Sequence, residues 1–413
     1  MKYNLFGYQE EATKAGVRVL LSPKKCYEVL VAPPAAGKSL IIASILSRLP
    51  DDGNVLIIQP SKELTEQNIE KAESFGLKTS IYSASLGKKE FGRIIFATPL
   101  SLRADDFKDK NIKYAIIDEC DANTKPKTTL PLFLRNIDIC YVIQPSALIK
   151  MGRWSEIRYS DHHYDPGKLV LNSSGSDFTN TSILESYVET KQEDKILNLV
   201  NSLPKDEPIL IFLPGIENVE ALTKYIKGSV CVTNNTKKTE RDKLVKGFKS
   251  GEHRIMINAG IFAVGFDYPD LRHIIDAFPT NSARIYIQRI GRIVRVSEET
   301  GKKFATYHCL SGNFRKFGRV EEITCEFIDK FGWGMYSGEF LLTGVPMGEK
   351  LGMTKSKIRE LYKGSVNLSA GKYDFEFDFN TLSDSERNYK ITFGKYEGRT
   401  VKWLYEEDKR YLT

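Results

Sequence analysis

The chain has 413 residues, 41% of them hydrophobic and 27% charged, with 22 phenylalanines and 20 tyrosines. This composition excludes a largely disordered protein and predicts two or three folded domains. No apolar run reaches the ~18 residues of a membrane span, and the first residues lack the apolar core of a signal peptide, so we expect a cytoplasmic protein with no membrane partner. The six cysteines form no Cys-x-x-Cys pair, so we expect them to be reduced thiols. The excess of 60 basic over 53 acidic side chains suits a polyanionic partner without requiring one.

The first 300 residues alternate short apolar segments with helical patterns. Apolar strands separated by helices are typical of parallel sheets covered on both faces, so the predicted fold class is α/β. Helical patterns occupy residues 40–49 and 62–75. The predicted strands are residues 29–32, 55–59, 94–97, 114–117 and 139–143 in the first half, and 209–213, 228–233, 254–258, 273–277 and 304–308 in the second.

Two changes of composition divide the chain. Residues 161–185 are polar and rich in Ser, Thr, Asn and Gly, which predicts a linker between a first lobe at 1–160 and a second lobe at 186–312. After residue 312, glycines and aromatic residues interleave. We expect a small C-terminal α+β accessory domain at 313–413, with a candidate DNA-binding helix-turn-helix at 348–359 that an amphipathic surface helix would also explain.

Residues 29–39 read as a strand, a loop of small residues and the start of a helix. Backbone N–H groups and a helix N-terminus in this arrangement bind phosphate oxygens. Lys38 is placed to reach the terminal phosphates, the Ser39 hydroxyl to hold Mg²⁺, and Gly37 to allow close approach of the backbone. The other loop residues expected at the phosphates are Pro34, Ala35 and Ala36. The alternative is a chance Gly-Lys-Ser sequence at a helix start.

Two carboxylates, Asp118 and Glu119, end the apolar run at residues 114–117. The end of a parallel strand beside a phosphate loop is where a Mg²⁺-binding aspartate belongs. We therefore expect Asp118 to hold the metal and Glu119 to orient or deprotonate an attacking water. A solvated acidic pair is the alternative.

An arginine-rich segment lies at residues 288–295. Arg292 and Arg295 are three residues apart, so we expect them to share one face of a helix. Two guanidinium groups aimed across a cleft stabilise the charge that develops on a transferring phosphoryl group, and Gln288 could contact the same group or its water. The alternative is a basic helix that faces solvent or nucleic acid.

Taken together, these motifs resemble those of superfamily 2 helicases and translocases, in the same order along the chain. Ser146-Ala147 stands where motif III falls in that superfamily. The remaining motifs are residues 6–9 (adenine motif), 32–39 (motif I), 60–64 (Ia), 98–99 (Ib), 118–121 (II), 211–214 (IV), 258 with 265–269 (V) and 288–295 (VI).

The resemblance implies two RecA-like lobes that bind ATP and Mg²⁺ between them. It implies that Gln9 reads the adenine and that Gly265 and Asp267 contact the nucleotide. It also implies a grip on the nucleic-acid backbone, in a protein that we expect to be a monomer. The residues implied in that grip are Pro60, Ser61, Lys62, Thr98, Pro99, Pro214 and Asn258.

Individual residues within the motifs bear on which nucleic acid the protein acts on and on whether it hydrolyses ATP. Gln288 at the start of motif VI resembles DNA translocases, and the compact lobes look like the branch-migration helicases of tailed phages, so we expect an ATP-dependent DNA helicase that acts on forks and four-way junctions. Asp-Glu-Cys-Asp at 118–121 also occurs in RNA helicases, which leaves an RNA helicase or annealing clamp open. Ala35 replaces a frequent glycine and Leu148 stands where threonine is usual, which leaves open a nucleotide-dependent binding module without turnover.

Overall fold

The computed structural model describes residues 4–23, 28–120, 138–143, 145–162, 167–173, 177–259, 267–328 and 332–344, together with Thr354 and Ser356. The chain divides into two compact units, Met1–Lys363 and Gly364–Thr413, and every described residue belongs to the first. Gly265 lies outside the described residues, as does the helix-turn-helix candidate apart from Thr354 and Ser356.

The first lobe alternates strands with helices. Its strands are β1 (Glu28–Val31), β2 (Asn54–Ile58), β3 (Thr79–Ser83), β4 (Lys88–Lys89), β5 (Ile94–Ala97), β6 (Ile112–Ile117) and β7 (Asp138–Val142). Its helices are α1 (Gly7–Leu20), α2 (Lys38–Arg48), α3 (Lys62–Ser74), α4 (Ala104–Phe107) and α5 (Pro145–Lys150). Five strands form one sheet in the order β4-β3-β5-β2-β6, parallel except for β4, while β1 pairs in parallel with β7.

The second lobe is built on a wholly parallel six-stranded sheet. Its strands are β8 (Glu156–Asp161), β9 (Ile209–Phe212), β10 (Ser229–Val232), β11 (Ile255–Asn258), β12 (His273–Asp276) and β13 (Phe304–Cys309), in the spatial order β10-β11-β9-β12-β13-β8. Its helices are α6 (Asn180–Glu189), α7 (Gln192–Ser202), α8 (Ile216–Tyr225), α9 (Lys238–Lys249) and α10 (Ala283–Ile290). The predicted α/β class with two tandem parallel-sheet lobes is confirmed.

The predicted boundary of the first lobe at residue 160 is wrong, because β8 pairs along its length with β13 of the second sheet. The amino-acid pattern did not predict this strand. It lies at the edge of the sheet, where Glu156 and Arg158 are exposed, so its polar residues resemble those of a linker.

Residues 313–344 of the predicted accessory domain pack against the second lobe. They form α11 (Asn313–Phe317) and an antiparallel sheet of β14 (Ile323–Ile328), β15 (Gly332–Ser337) and β16 (Phe340–Gly344). The Phe317 ring stacks on that of Tyr286 at 5.0 Å, and the Tyr286 hydroxyl donates to the Gly318 carbonyl at 2.6 Å. The fully buried Phe317 therefore belongs to the core that contains Tyr286.

The two lobes share a hydrophobic core. Ile41 and Ile45 of α2 belong to the same buried cluster as Leu210 of β9 and Ile290 of α10. Burial at this junction holds β1 and α2 against α10, and thereby brings the phosphate loop to the arginine-rich segment. In the part of the chain that the structure describes, no helix is long and apolar enough to cross a membrane.

Candidate active site

The phosphate loop connects β1 to α2 with two residues in the left-handed region of backbone space. Gly37 caps α2 at φ +82°, and a Cβ there would lie 2.3 Å from the side-chain nitrogen of Gln9, so only glycine fits. Ala35 has φ +58°, a conformation that costs about 1 kcal/mol or more for a residue with a Cβ. Ala36 is fully buried, and Lys38 and Ser39 are the first two residues of α2.

Gln9 holds the phosphate loop through its side-chain amide. The amide nitrogen donates to the Ala36 carbonyl at 3.0 Å, and the amide oxygen accepts from the Phe6 backbone N–H at 3.1 Å. The residue is almost fully buried, at 2% exposure. Both halves of the amide therefore bond to the protein in this structure, and the side chain joins the adenine motif to the loop.

Lys38 and Glu119 meet although 81 residues separate them in the chain. The Lys38 ammonium lies 2.5 Å from Glu119 Oε1, and Gln288 Nε2 lies 3.4 Å from Glu119 Oε2. Glu119 itself has φ +49°, which turns its carboxylate away from the line of β6. One carboxylate thus joins the phosphate loop of the first lobe to α10 of the second.

Asp118 lies at the end of β6 and is 8% exposed. Asn68 donates to its Oδ2 at 3.0 Å, and the Glu119 backbone N–H donates to its Oδ1 at 3.0 Å. Burial raises the pKa of Asp118, although the charge of Lys38 opposes the shift. A bound cation would offset this cost of burial, and a carboxylate with the Ser39 hydroxyl is the hard oxygen donor set that Mg²⁺ prefers.

The charge on Glu119 is set by groups from both lobes. Burial alone would raise the pKa of Glu119, but the charge of Lys38, followed by those of Arg284 and Arg292, outweighs burial and lowers it. Glu119 is consequently an anion at neutral pH. Burial and the neighbouring Arg295 lower the pKa of Arg292 to about 10, which still leaves this guanidinium charged.

The predicted helix through Arg292 and Arg295 is wrong. Helix α10 ends at Ile290, and Arg292 lies in the turn that follows. Arg295 forms an isolated antiparallel bridge with Trp154, and its guanidinium pairs with Asp267 at 2.6 Å. The two arginines therefore do not share a helix face, because the backbone after Ile290 bonds to the segment that enters β8 instead of continuing the helix.

The residues predicted to grip nucleic acid follow the carboxyl ends of strands, where ligands of parallel sheets bind. Pro60 follows β2, Pro99 follows β5, and the buried Pro214 follows β9. Lys62 begins α3, and the Ser61 hydroxyl caps that helix by accepting from the Leu64 N–H at 3.3 Å. Pro60 and Pro99 thus follow strands of the first-lobe sheet, and Pro214 follows a strand of the second.

Two members of that group do not present their side chains to solvent. The Thr98 hydroxyl shares hydrogen bonds with those of Ser83 and Ser101, at 3.0 and 2.9 Å, and the residue is 8% exposed. Asn258 is fully buried and donates to the Ile211 carbonyl at 3.0 Å. The structure therefore does not support direct side-chain contacts for these two residues. Each fixes the strand end on which it lies.

Sequence reasoning missed Asn68 and Arg284. Asn68 stands next to Gln67 on α3, and only the fold brings its amide to Asp118. Arg284 lies one turn before Gln288 on α10, and its charge acts on Glu119. The i, i+4 spacing of Arg284 and Gln288 was a usable signal, since residues four apart on a helix share a face.

Two protein-family models match the chain. Residues 2–150 match the type III restriction enzyme res subunit, and residues 191–297 match the helicase conserved C-terminal domain. The two ranges hold more than half of the chain, and they contain the phosphate loop, the acidic pair and the arginine-rich segment. The chain belongs to superfamily 2 of the helicases. In this superfamily 2 chain the first family model ends before β8, and the second lies wholly within the second lobe.

Curated relatives support the same superfamily. The chain is 24% identical over 318 residues to DEAD-box ATP-dependent RNA helicase 30 of Arabidopsis thaliana. The aligned region covers 68% of this chain and 51% of that relative. It is 24% identical over 279 residues to DEAD-box ATP-dependent RNA helicase 20 of Oryza sativa. That aligned region covers 59% of this chain and 54% of the relative. This superfamily 2 chain thus spans about half the length of these relatives.

Solved structures share the fold. A fragment assigned to the HsdR subunit of a type I restriction enzyme from Vibrio vulnificus has a TM-score of 0.54 at 13% identity, covering 76% of this chain and 65% of that one. The ATP-dependent type ISP restriction-modification enzyme LlaBIII bound to DNA has a TM-score of 0.51 at 11% identity, covering 75% of this chain and 28% of that one. At these identities the likeness concerns the fold of a superfamily 2 chain and not its substrate.

Proposed function

We propose that this superfamily 2 chain is an ATP-dependent nucleic-acid motor that works as a monomer. The observation that carries the proposal is the convergence of Lys38, Glu119 and Gln288 on one pocket between two RecA-like lobes. A nucleotide in that pocket touches both lobes, so its binding and loss change the distance between them.

The side chains of the pocket divide the work of phosphoryl transfer. Lys38 leaves Glu119 and neutralises the terminal phosphates, while the freed Glu119 carboxylate accepts a proton from the attacking water. Asp118 and Ser39 would hold Mg²⁺, which neutralises phosphate charge when bound. Arg292 and Arg295 stabilise the charge of the transition state, for which Arg295 must first leave Asp267.

We propose DNA as the polymer, with forks and four-way junctions as the preferred structures. Gln288 at the head of motif VI supports DNA, as does the match of residues 2–150 to a restriction-enzyme subunit. The strand would lie against the carboxyl ends of β2, β5 and β9, held mainly through its phosphates, so binding would weaken steeply with salt.

A second candidate polymer is RNA. The curated relatives described above are named RNA helicases, and they match 59–68% of this chain. The Asp-Glu-Cys-Asp sequence at 118–121 points in the same direction.

The test is ATP hydrolysis with Mg²⁺ in the presence of no polymer, single-stranded DNA, a synthetic four-way junction or single-stranded RNA. Lys38→Ala and Glu119→Gln should abolish turnover, and Lys205→Ala, at an exposed lysine of the second lobe, is the matched control. Stimulation that is strongest with the junction would support the full proposal.

Other outcomes of this assay separate the alternatives. Stimulation by RNA alone would replace DNA with RNA as the polymer. Absence of turnover with every polymer would overturn the motor and favour a nucleotide-dependent binding module.

A further inference from the structure

Residues 153–155, which we call the coupling strap, lie between α5 and β8. Leu148 anchors the strap, since its backbone carbonyl accepts from the N–H groups of Arg153 and Trp154 at 2.8 and 3.1 Å. Its side chain is fully buried. Leu148 therefore offers no side-chain hydroxyl at the position where motif III usually has threonine.

On the side of the first lobe, the strap contacts two parts of the nucleotide pocket. The Arg153 guanidinium lies 3.5 Å from the centre of the Phe6 ring, in the adenine motif. The Trp154 indole N–H donates to the Pro34 carbonyl of the phosphate loop at 3.1 Å. Trp154 is 2% exposed, so this hydrogen bond is shielded from water.

On the side of the second lobe, the same strap bonds to the arginine-rich segment. The Ser155 N–H donates to the Val294 carbonyl at 2.6 Å, and the Ser155 hydroxyl donates to the Arg295 carbonyl at 2.9 Å. Ser155 is 1% exposed. Consecutive residues of the strap thus bond to the two halves of the pocket.

Pro34 is held between the strap and the second lobe. A Cβ on Gly291 would lie 2.4 Å from Pro34 Cβ, so the loop and the turn after α10 are already in close contact. Any movement of Pro34 therefore acts on Gly291 directly and on Arg295 through Trp154 and Ser155.

We propose that the coupling strap transmits the state of the phosphate loop to Arg295, with Trp154 and Ser155 as positioning residues. This inference rests on the proposed function, because it takes ATP to be the ligand of the loop. When Lys38 leaves Glu119 for a phosphate, the loop shifts, and the strap carries that shift to the backbone of Arg295. The three hydrogen bonds of Trp154 and Ser155 then supply the link between the lobes that the Leu148 side chain cannot provide.

The first test separates positioning from binding. Trp154→Phe keeps an aromatic ring but loses the N–H donor, Ser155→Ala loses the hydroxyl, and Trp333→Phe on β15 is the matched control. We expect both strap variants to bind nucleotide within about threefold of wild type, while kcat falls about tenfold, the value of one hydrogen bond. Unchanged kcat in folded strap variants, or loss confined to KM, would overturn the proposal.

The second test does not need turnover. In a background with Trp333→Phe and Trp403→Phe, Trp154 is the sole tryptophan of the chain. Adding ADP or a non-hydrolysable ATP analogue should change its fluorescence, and Lys38→Ala should remove that change. Bound nucleotide without a fluorescence change would overturn the strap, whereas a fluorescence change without ATP turnover in the wild type would overturn the motor and leave the strap intact.

Discussion

The Lys38 ammonium lies 2.5 Å from Glu119 Oε1, where the phosphate loop faces the end of β6. Under the proposed function a nucleotide breaks this ion pair, because its terminal phosphates take the same lysine. We therefore expect Glu119→Gln to bind an ATP analogue as tightly as wild type or more tightly, while kcat falls about 100-fold or more through loss of the general base. Equilibrium binding and steady-state turnover measure the two effects, with the exposed Glu185→Gln on α6 as the control. A fall in affinity for the ATP analogue as large as the fall in kcat would contradict the expectation that Glu119 competes with the nucleotide for Lys38.

Ala35 has φ +58° in the phosphate loop. Glycine adopts this conformation without a Cβ penalty, so we expect Ala35→Gly to raise the free energy of unfolding by about 1 kcal/mol. Ala36→Gly is the matched control. It removes a fully buried methyl group and should lower the free energy of unfolding by about 0.8 kcal/mol. Denaturant unfolding measures the free energy of unfolding of both variants. An equal decrease in that free energy in Ala35→Gly and Ala36→Gly would show that Ala35 is unstrained.

Asp276 and Arg289 form a buried ion pair at 2.8 Å beneath α10, with 0% and 2% exposure. The Tyr307 hydroxyl and the Asn313 amide also donate to the Asp276 carboxylate, at 2.5 and 2.9 Å. Removal of one charge leaves the other buried, so we expect Arg289→Met to cost about 3–5 kcal/mol of unfolding free energy. The double variant with Asp276→Asn should recover part of that loss. Additive losses in the double variant would rule out a coupled pair.

The Lys302 side chain links the segment that contains Pro269 to the turn that follows α10. Its ammonium donates to the Pro269 and Ile293 carbonyls at 2.9 and 2.7 Å, and burial lowers its pKa to about 7. Between pH 7 and about 10.5 the unfolded chain holds a proton that the native chain lacks, so this group's contribution to stability becomes more favourable as pH rises, by at most about 1.4 kcal/mol per unit.

The measurement for Lys302 is the difference in unfolding free energy between wild type and Lys302→Met from pH 6 to pH 9. We expect the difference to stay level below pH 7 and then to shift in favour of wild type. The exposed Lys303→Met should show no such trend. A constant difference across the range would mean that the ammonium keeps its ordinary pKa.

Local patterns predicted ten strands of the two lobes but not β3, β4 or β8. The strand at residues 94–97 was predicted at the ends that the structure gives it, because its four residues are buried on both faces and read as one apolar run. Lys38 and Asp118 were identified because a phosphate loop and a strand-end carboxylate are contiguous motifs. The edge strand β8 was missed, since one exposed side leaves its residues mixed in polarity.

The sequence by itself determined the α/β class, the superfamily and the residue types of the pocket, since these depend on neighbours a few positions apart. Only the tertiary structure decided that Lys38 reaches Glu119, 81 residues away, and that Trp154 reaches Pro34, 120 residues away. It also decided that α10 stops at Ile290 and that Asn258 is buried. These features depend on how the lobes pack, and packing is set by contacts between segments distant in the chain, which no local pattern encodes.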